Sequence, residues 1–225
     1  MKGKLVVIEG LDGSGKSTQE ELLKKKLSDC GVKVNFIKLP NYGDPACEPV
    51  KMYLAGRFGD KPEDVNAYAA SAFFAVDRYV SFNCYWKDAY RNGEVFLADR
   101  YTTSNAYHQL TKTPRAEWDY YLEWLEDFEY NKMGIPKPDA VIYLDMPIEV
   151  SQKLMTGRYN GDESKKDIHE KDVAYLKSCR EAAEYACCRL GWKRIECSKD
   201  GEPLPVDVIS AKVFAAVAEI IGVEV

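Results

Sequence analysis

The sequence has no excess of positive charge, which excludes two classes of partner. Its 225 residues contain 31 lysines and arginines against 36 aspartates and glutamates, a formal net charge of −5. General binding to nucleic acid or to an anionic membrane surface requires a basic field, and this composition does not supply one. We therefore expect neither partner, and any anionic ligand must be held by local groups.

Long hydrophobic runs and paired cysteines are also missing. No apolar stretch reaches the roughly 18 residues of a membrane-spanning helix, and the short apolar run at the start ends in Glu9, which favours a first strand over a signal peptide. The seven cysteines form no C-x-x-C pair and both histidines lie far from them, which argues against a zinc site. Scattered cysteines are typical of reduced thiols, so we expect a cytoplasmic protein.

What the sequence does contain is a regular alternation of β-prone runs and helical patterns. No Ser/Gly/Pro-rich linker divides it, so one domain over residues 1–225 is expected. The alternation predicts the α/β class, with a five-stranded parallel sheet flanked by helices on both faces. Strands are predicted over residues 5–8, 34–39, 95–98, 141–144 and 193–197, and helices over 16–30, 62–92 with an internal kink or break, 172–190 and 206–221. The charge-dense segment 156–172 predicts a surface loop or lid.

A glycine-rich run follows the first predicted strand and opens the first predicted helix. Residues 10–17, GLDGSGKS, match the pattern G-x-x-x-x-G-K-[ST] in full. In such a loop, backbone N–H groups and the helix N-terminus cradle a polyphosphate, the lysine reaches the β- and γ-phosphates, and the serine binds Mg²⁺. The motif predicts a P-loop NTPase fold that binds a nucleoside triphosphate, but alone it does not distinguish a GTPase switch, a motor ATPase and a small-molecule kinase. The expected ATP-binding residues are Gly10, Asp12, Gly13, Ser14, Gly15, Lys16, Ser17 and Thr18.

The third predicted strand ends in Asp99-Arg100-Tyr101. A carboxylate at this place can act with Ser17 as a metal ligand, but a metal ligand needs no arginine beside it. An arginine at the carboxyl end of a strand near the P-loop can clamp a second phosphate bidentately. A structural Asp-Arg pair at the surface is the alternative. The functional interpretation predicts a phosphate acceptor, and therefore a kinase.

Several segments together resemble the thymidylate kinase family. They are the P-loop containing Asp12, the helix FFAVDRY, the strand end DRYTTS and the strand PKPDAVIYLDMP followed by an arginine-bearing lid, in the family's order between residues 4 and 190. The resemblance implies a dTMP kinase (a transferase of nucleotide biosynthesis) that moves the γ-phosphate of ATP to dTMP to give dTDP. It also implies a requirement for Mg²⁺ and a homodimer.

The resemblance further implies roles for residues of an acceptor site. Phe74 would stack on thymine and Arg78 would hydrogen-bond the pyrimidine edge, although the pattern alone also fits core packing for Phe74 and a surface cation for Arg78. Arg100 would clamp the acceptor phosphate, Asp99 would lie near the attacking oxygen and the metal, and Asp12 would meet the sugar 3′-hydroxyl. The other expected pocket residues are Ser104, Asn105 and Gln109, with Tyr107 crowding the sugar's 2′-position.

The chain departs from the family at the catalytic cation. Some members have an arginine inside the P-loop where this chain has Gly13, and others carry it in the lid. A cation directed at the transferring phosphoryl group stabilises the charge that develops there. Arg158 is therefore the expected catalytic cation, and the pair Lys165 and Lys166 is the alternative.

A second departure follows the second predicted strand, where bacterial members hold the acceptor phosphate with an arginine. Lys38 is the nearest cation in this chain and Arg57 is another candidate.

We expect the adenine of ATP to lie against the loop 197–203. Alternative functions are a kinase for dUMP, UMP/CMP or a deoxynucleoside, and a nucleotide-dependent switch with no acceptor.

Overall fold

A five-stranded parallel sheet forms the centre of the protein in the computed structural model, which describes residues 2–159 and 173–223. The strands are β1 (Lys4–Glu9), β2 (Asn35–Lys38), β3 (Val95–Asp99), β4 (Ala140–Asp145) and β5 (Lys193–Glu196), in the order β2-β3-β1-β4-β5. β1 pairs in parallel with both β3 and β4. The strand that leads into the P-loop is therefore the central strand, and the predicted α/β class with its five strands is confirmed.

Helices cover both faces of this sheet because the strands carry apolar side chains on both faces. From β1, Val6 and Ile8 pack with Leu23 and Leu27 in one core cluster, whereas Leu5 and Val7 belong to a cluster on the opposite face. The helices are α1 (Lys16–Asp29), α2 (Glu48–Leu54), α3 (Ala67–Ser81), α4 (Lys87–Arg91), α5 (Thr102–His108), α6 (Trp118–Glu126), α7 (Ile148–Tyr159), α8 (Val173–Leu190) and α9 (Val206–Ile221). Within the described residues, no helix combines the length and apolarity needed to cross a membrane.

The helical stretch predicted over 62–92 is interrupted, as expected. A separate 3₁₀ turn occupies Pro62–Asp64, and α3 begins after Asn66, whose side chain accepts a hydrogen bond from the Ala69 amide. A π-helical segment, Phe82–Trp86, then joins α3 to α4. A π-helical insertion is a recognised cause of a kink, and this one lies where Phe82 and Trp86 enter the core.

The predicted lid falls largely outside the described residues. Its first part belongs to α7, which continues to Tyr159, so residues 156–159 are helical and not a loop. Arg158 lies in the last turn of this helix. Residues 160–172, which include Lys165 and Lys166, lie outside the described residues.

Candidate active site

A cavity of about 1060 Å³ lies at the carboxyl edge of the sheet. Residues that directly follow β1, β2, β3 and β4 form its wall, together with parts of α3, α5 and α7. Ligands of open parallel sheets bind at this edge because the carboxyl ends of all the strands meet there. The cavity contains the P-loop at one side and the Phe74–Arg78 segment of α3 at the other.

The side chain of the P-loop lysine turns toward the backbone of the loop itself. Lys16 Nζ donates hydrogen bonds to the carbonyl oxygens of Gly10 (2.6 Å) and Leu11 (3.2 Å). Burial lowers the pKa of Lys16 to about 8, and the Arg100 cation adds to the lowering while Asp12 opposes it. Ser14 Oγ is buried and has no hydrogen-bond partner in the described part of the chain. Anionic phosphate oxygens would satisfy both groups.

Gly13 lies against α7, which explains why this P-loop carries no arginine. Its φ of +77° is one that L side chains rarely adopt, and a Cβ atom there would approach the Ser151 carbonyl oxygen to 2.8 Å. The same Cβ would approach Met155 Cγ to 2.8 Å. A side chain at position 13 would therefore collide with backbone, so the packing of α7 excludes a P-loop arginine in this arrangement.

Arg100 directs its guanidinium from the end of β3 toward the P-loop. Its backbone has φ of +69°, a left-handed conformation that is uncommon for a non-glycine residue. Nη2 contacts Asp12 Oδ1 at 2.5 Å, and Nη1 lies 3.2 Å from Tyr107 Oη and 3.4 Å from His108 Nε2. Contacts at both Nη1 and Nη2 fix the plane of the guanidinium, and a fixed plane is required to bind a phosphate through two parallel hydrogen bonds.

Asp99 and Lys38 form an ion pair at the ends of adjacent strands. Lys38 Nζ lies 3.2 Å from Asp99 Oδ2, while Asp99 Oδ1 is buried without a partner among the described residues. Lys38 and Asp99 both line the cavity, as does Ser17. Arg57, the other candidate for the acceptor phosphate, is exposed in the turn after α2 and lies outside the cavity wall.

Phe74 and Arg78 both line the cavity from α3. Phe74 is partly buried and packs edge-on against Tyr53, with ring centroids 6.2 Å apart. It therefore contacts a small apolar cluster and also faces the cavity, so core packing and ligand stacking are compatible.

Arg78 is buried and bound to a carboxylate that sequence reasoning missed. Its Nε and Nη2 donate to the two oxygens of Glu129 at 2.6 Å each, and its Nη1 lies 3.4 Å from the Tyr101 carbonyl oxygen. Glu129 has no exposed surface and also accepts from Thr102 Oγ1 (2.9 Å) and Asn105 Nδ2 (3.4 Å). Burial on its own would lower the pKa of Arg78, but Glu129 outweighs it and the pKa is raised.

A second fully buried carboxylate, Glu9, organises the start of α5. It accepts hydrogen bonds from the Tyr101 amide (3.2 Å), Thr103 Oγ1 (2.6 Å), Ser104 Oγ (2.9 Å) and Tyr107 Oη (2.7 Å). The Ser104 hydroxyl is thus turned toward Glu9, although the residue lines the cavity. The Tyr107 hydroxyl lies beneath Arg100, and Tyr107 is not part of the cavity wall.

His108 and Gln109 occupy the wall beside Arg100. His108 was not expected from the sequence, and it lines the cavity where Tyr107 had been predicted. Gln109 has no exposed surface, and neither its Oε1 nor its Nε2 has a partner in the described residues. A buried amide without partners that faces a cavity is suited to hydrogen-bond a ligand.

The segment that follows β5 also lines the cavity. The predicted adenine loop forms a small hairpin of β6 (Ser198–Lys199) and β7 (Glu202–Pro203). Pro203, Leu204 and Val206 contribute an apolar wall near the P-loop side, and Gln19 of α1 donates to the Val206 carbonyl oxygen at 3.2 Å. A planar base fits such a wall.

Three residues of the site, Glu9, Glu129 and His108, were missed by sequence reasoning. Glu129 did carry a signal, because it continues the helical spacing of the buried residues Leu122 and Leu125 and so places a carboxylate on an apolar face. Glu9 ends a fully apolar strand directly before the P-loop. His108 carried no comparable signal.

A P-loop that shares one cavity with an arginine at the end of the neighbouring strand is the arrangement expected of a nucleotide kinase of the P-loop class. The chain matches the family model described as thymidylate kinase over residues 8–202. It is 30% identical over 191 residues to the thymidylate kinase of Mycobacterium tuberculosis, covering 84% of this chain and 87% of the relative. It is 34% identical over 183 residues to the probable thymidylate kinase of Thermococcus gammatolerans, covering 80% of each. This chain therefore belongs to the thymidylate kinase family.

The fold agrees with this assignment. The structure of the thymidylate kinase from Candida albicans superposes with a TM-score of 0.69 at 20% identity, over 97% of this chain and 92% of that chain. Enzymes of the family phosphorylate dTMP with ATP as the phosphate donor, and this chain is a phosphotransferase of that kind.

Proposed function

We propose that the cavity binds both nucleotides at once, with ATP on the P-loop and dTMP between Arg100, Phe74 and Arg78. The observation that carries the proposal is that Lys16 and Arg100 line the same cavity, with Lys16 held by carbonyl oxygens of the P-loop and Arg100 held by Asp12. Two fixed cations facing one space suit two phosphate chains that meet end to end. In the complex, the acceptor phosphate would replace Asp12 as a partner of Arg100, leaving Asp12 for the sugar 3′-hydroxyl.

We also propose that the enzyme uses Mg²⁺. The residues fit this ion, because Asp99 Oδ1 is a buried carboxylate oxygen without a partner among the described residues and the Ser17 hydroxyl lies on the same cavity. Mg²⁺ is commonly bound in proteins by one or two protein oxygens together with phosphates and waters. When bound, the ion would neutralise charge on the β- and γ-phosphates. No group of three or more metal-ligating side chains occurs in the described residues.

The chain's own residues would act by positioning and electrostatics. Lys16 would bind the β- and γ-phosphates, Arg100 and Lys38 would hold the acceptor phosphate, and Arg158 would supply a cation from α7. The site contains no arrangement of nucleophile and base comparable to a catalytic triad among its described residues, which favours direct transfer between the two nucleotides.

The test of this function is an acceptor panel. Steady-state ATP consumption is measured with dTMP, dUMP, UMP, dCMP and thymidine, and the highest kcat/KM is expected with dTMP. Lys16→Ala should reduce turnover by orders of magnitude and leave dTMP affinity nearly unchanged, whereas Arg100→Ala should weaken dTMP binding. ATP turnover that does not respond to any added monophosphate would contradict the proposal and favour a nucleotide-dependent switch. Preference for another acceptor would contradict dTMP as the substrate.

We further propose a homodimer formed through the outer side of α3. Val76 and Tyr79 are 44% and 42% exposed, and Phe73, one turn earlier, is only partly buried. Apolar residues at this spacing form a stripe on the helix surface, and a second copy is the partner that the family resemblance implies.

A cytoplasmic location is also proposed, supported by seven cysteines that are all free.

A further inference from the structure

Glu129 lies directly behind two side chains that line the acceptor end of the cavity. It holds Arg78 through two hydrogen bonds of 2.6 Å and lies 3.4 Å from Asn105 Nδ2. Glu129 has no exposed surface and is not itself part of the cavity wall. Any effect it has on a ligand must therefore act through Arg78 and Asn105.

The first effect of Glu129 concerns the orientation of the Asn105 amide. Asn105 Nδ2 lies 3.4 Å from Glu129 Oε1 and 3.4 Å from the Ser71 carbonyl oxygen. Both neighbours are acceptors only, so the NH₂ end of the amide must face them and Oδ1 must face away. Oδ1 accepts no hydrogen bond from the described residues, and Asn105 lines the cavity. Asn105 thereby presents an acceptor to the ligand.

The second effect concerns the direction of the Arg78 donors. Glu129 occupies Nε and one hydrogen of Nη2, which leaves Nη1 as the nitrogen outside the bidentate pair. Among the described residues, Nη1 contacts the Tyr101 carbonyl oxygen alone, at 3.4 Å, and it carries two hydrogens. Arg78 thereby presents a donor to the cavity it lines.

One donor beside one acceptor distinguishes two classes of pyrimidine. Thymine and uracil present O4 as an acceptor and N3–H as a donor, whereas cytosine presents an amino donor and an N3 acceptor. We propose that Glu129 is a positioning residue that fixes the hydrogen-bond polarity of the pocket and so selects 4-keto pyrimidines over cytosine. This inference rests on the proposed function, since it requires a pyrimidine monophosphate in this end of the cavity.

The test replaces the carboxylate by an amide of the same shape. In Glu129→Gln the new NH₂ group can donate to Asn105 Oδ1, so only the Ser71 carbonyl oxygen still holds the Asn105 NH₂ group away from the cavity and the orientation of the amide is no longer fixed. The expected result is a fall of about tenfold or more in the ratio of kcat/KM for dTMP to kcat/KM for dCMP, carried mainly by KM. Glu126→Gln is the matched control, because Glu126 lies one helical turn earlier and pairs with Lys137 at the surface. It should leave the ratio unchanged.

Each outcome decides the proposal. An equal loss of activity toward dTMP and dCMP in folded Glu129→Gln would indicate a merely structural role and overturn it, as would an unchanged ratio. If Glu129→Gln does not fold because Arg78 is left buried and unpaired, Glu129→Asp keeps the negative charge beside Arg78 but withdraws the carboxylate by one methylene, and it should lower the same ratio. A wild-type enzyme that phosphorylates no pyrimidine monophosphate would instead overturn the proposed function, and this inference with it.

Discussion

At the scale of single residues, Lys16 is a buried cation whose Nζ donates to two carbonyl oxygens and lies 3.9 Å from Asp12 Oδ1. Its pKa of about 8 lies below the usual 10.5. The unfolded chain therefore binds more protons at this group between pH 8 and 10.5, so its unfavourable contribution to folding is full below pH 8 and disappears as the pH rises through that window. A bound polyphosphate adds negative charge and should raise the pKa again.

ADP binding should therefore be accompanied by proton uptake at pH 8.5, where a group of pKa 8 is roughly three-quarters neutral. Calorimetric titrations in buffers of different ionisation enthalpy measure the uptake, which should be much smaller at pH 7. Lys112 provides the control, since burial lowers its pKa to about 8 as well but it lies outside the cavity wall. Lys112→Met should keep the uptake. Binding without proton uptake at pH 8.5 would show that phosphate does not reach Lys16.

Residues that belong to a local motif could be placed from the sequence, and residues whose partners are distant could not. Lys16 and Ser17 follow from an eight-residue pattern, and Asp99 and Arg100 follow from the end of a strand. The pair of Arg78 with Glu129 joins positions 51 residues apart, and the bond between Glu9 and Tyr107 joins positions 98 apart. Such pairs arise only when the sheet and the helices are assembled, so sequence periodicity does not specify them.

At the scale of elements, Glu9 joins the central strand to helix α5. One carboxylate at the end of β1 accepts from the Tyr101 amide and from three side-chain hydroxyls at the start of α5 and within it. α5 carries Ser104, Asn105 and His108 in the cavity wall. Glu9 thus sets the distance between the P-loop, which begins at Gly10, and the proposed acceptor pocket.

Glu9→Gln should destabilise the fold by about 2–3 kcal/mol, because an NH₂ group replaces one of two buried acceptor oxygens. Chemical denaturation measures the free energy of unfolding, and hydrogen exchange should show faster exchange of the α5 amides than of the β3 amides. The control is Glu219→Gln, which breaks an exposed pair with Lys193 and should leave the free energy of unfolding nearly unchanged. Equal small losses in both variants would contradict the role of Glu9.

The long helical pattern shows a different limit of prediction at this scale. The sequence predicted a break between residues 62 and 92 from length alone, but the π-helical segment Phe82–Trp86 is set by the packing of Phe82 and Trp86 into the core. A similar π-helical segment, Asp127–Lys132, contains Glu129. Its presence could not be derived from residue propensities, because helical residues favour the regular α form in isolation.

At the scale of the whole molecule, a parallel sheet brings separate parts of the chain to one edge. β1, β2 and β3 end at the P-loop, Lys38 and Asp99, and the crossover helices then return the chain to the opposite edge. The proposed pocket for a second nucleotide is therefore a consequence of the strand order, since β3 lies between β1 and β2. α3 has two sides in this arrangement, with Phe74 and Arg78 facing the cavity and Val76 and Tyr79 facing outward.

The outward side of α3 should hold two copies of the chain together. Sedimentation of the wild-type protein at micromolar concentration should give twice the 25.5 kDa mass of one chain. Val76→Glu and Tyr79→Glu should each shift the mass toward the monomer, because a carboxylate would be buried without a partner at the interface. Val208→Glu changes an exposed valine on α9 and should remain dimeric. A monomeric wild type would contradict the proposed dimer. Because α3 also carries Phe74 and Arg78, the monomeric variants should bind dTMP more weakly than the Val208→Glu variant does.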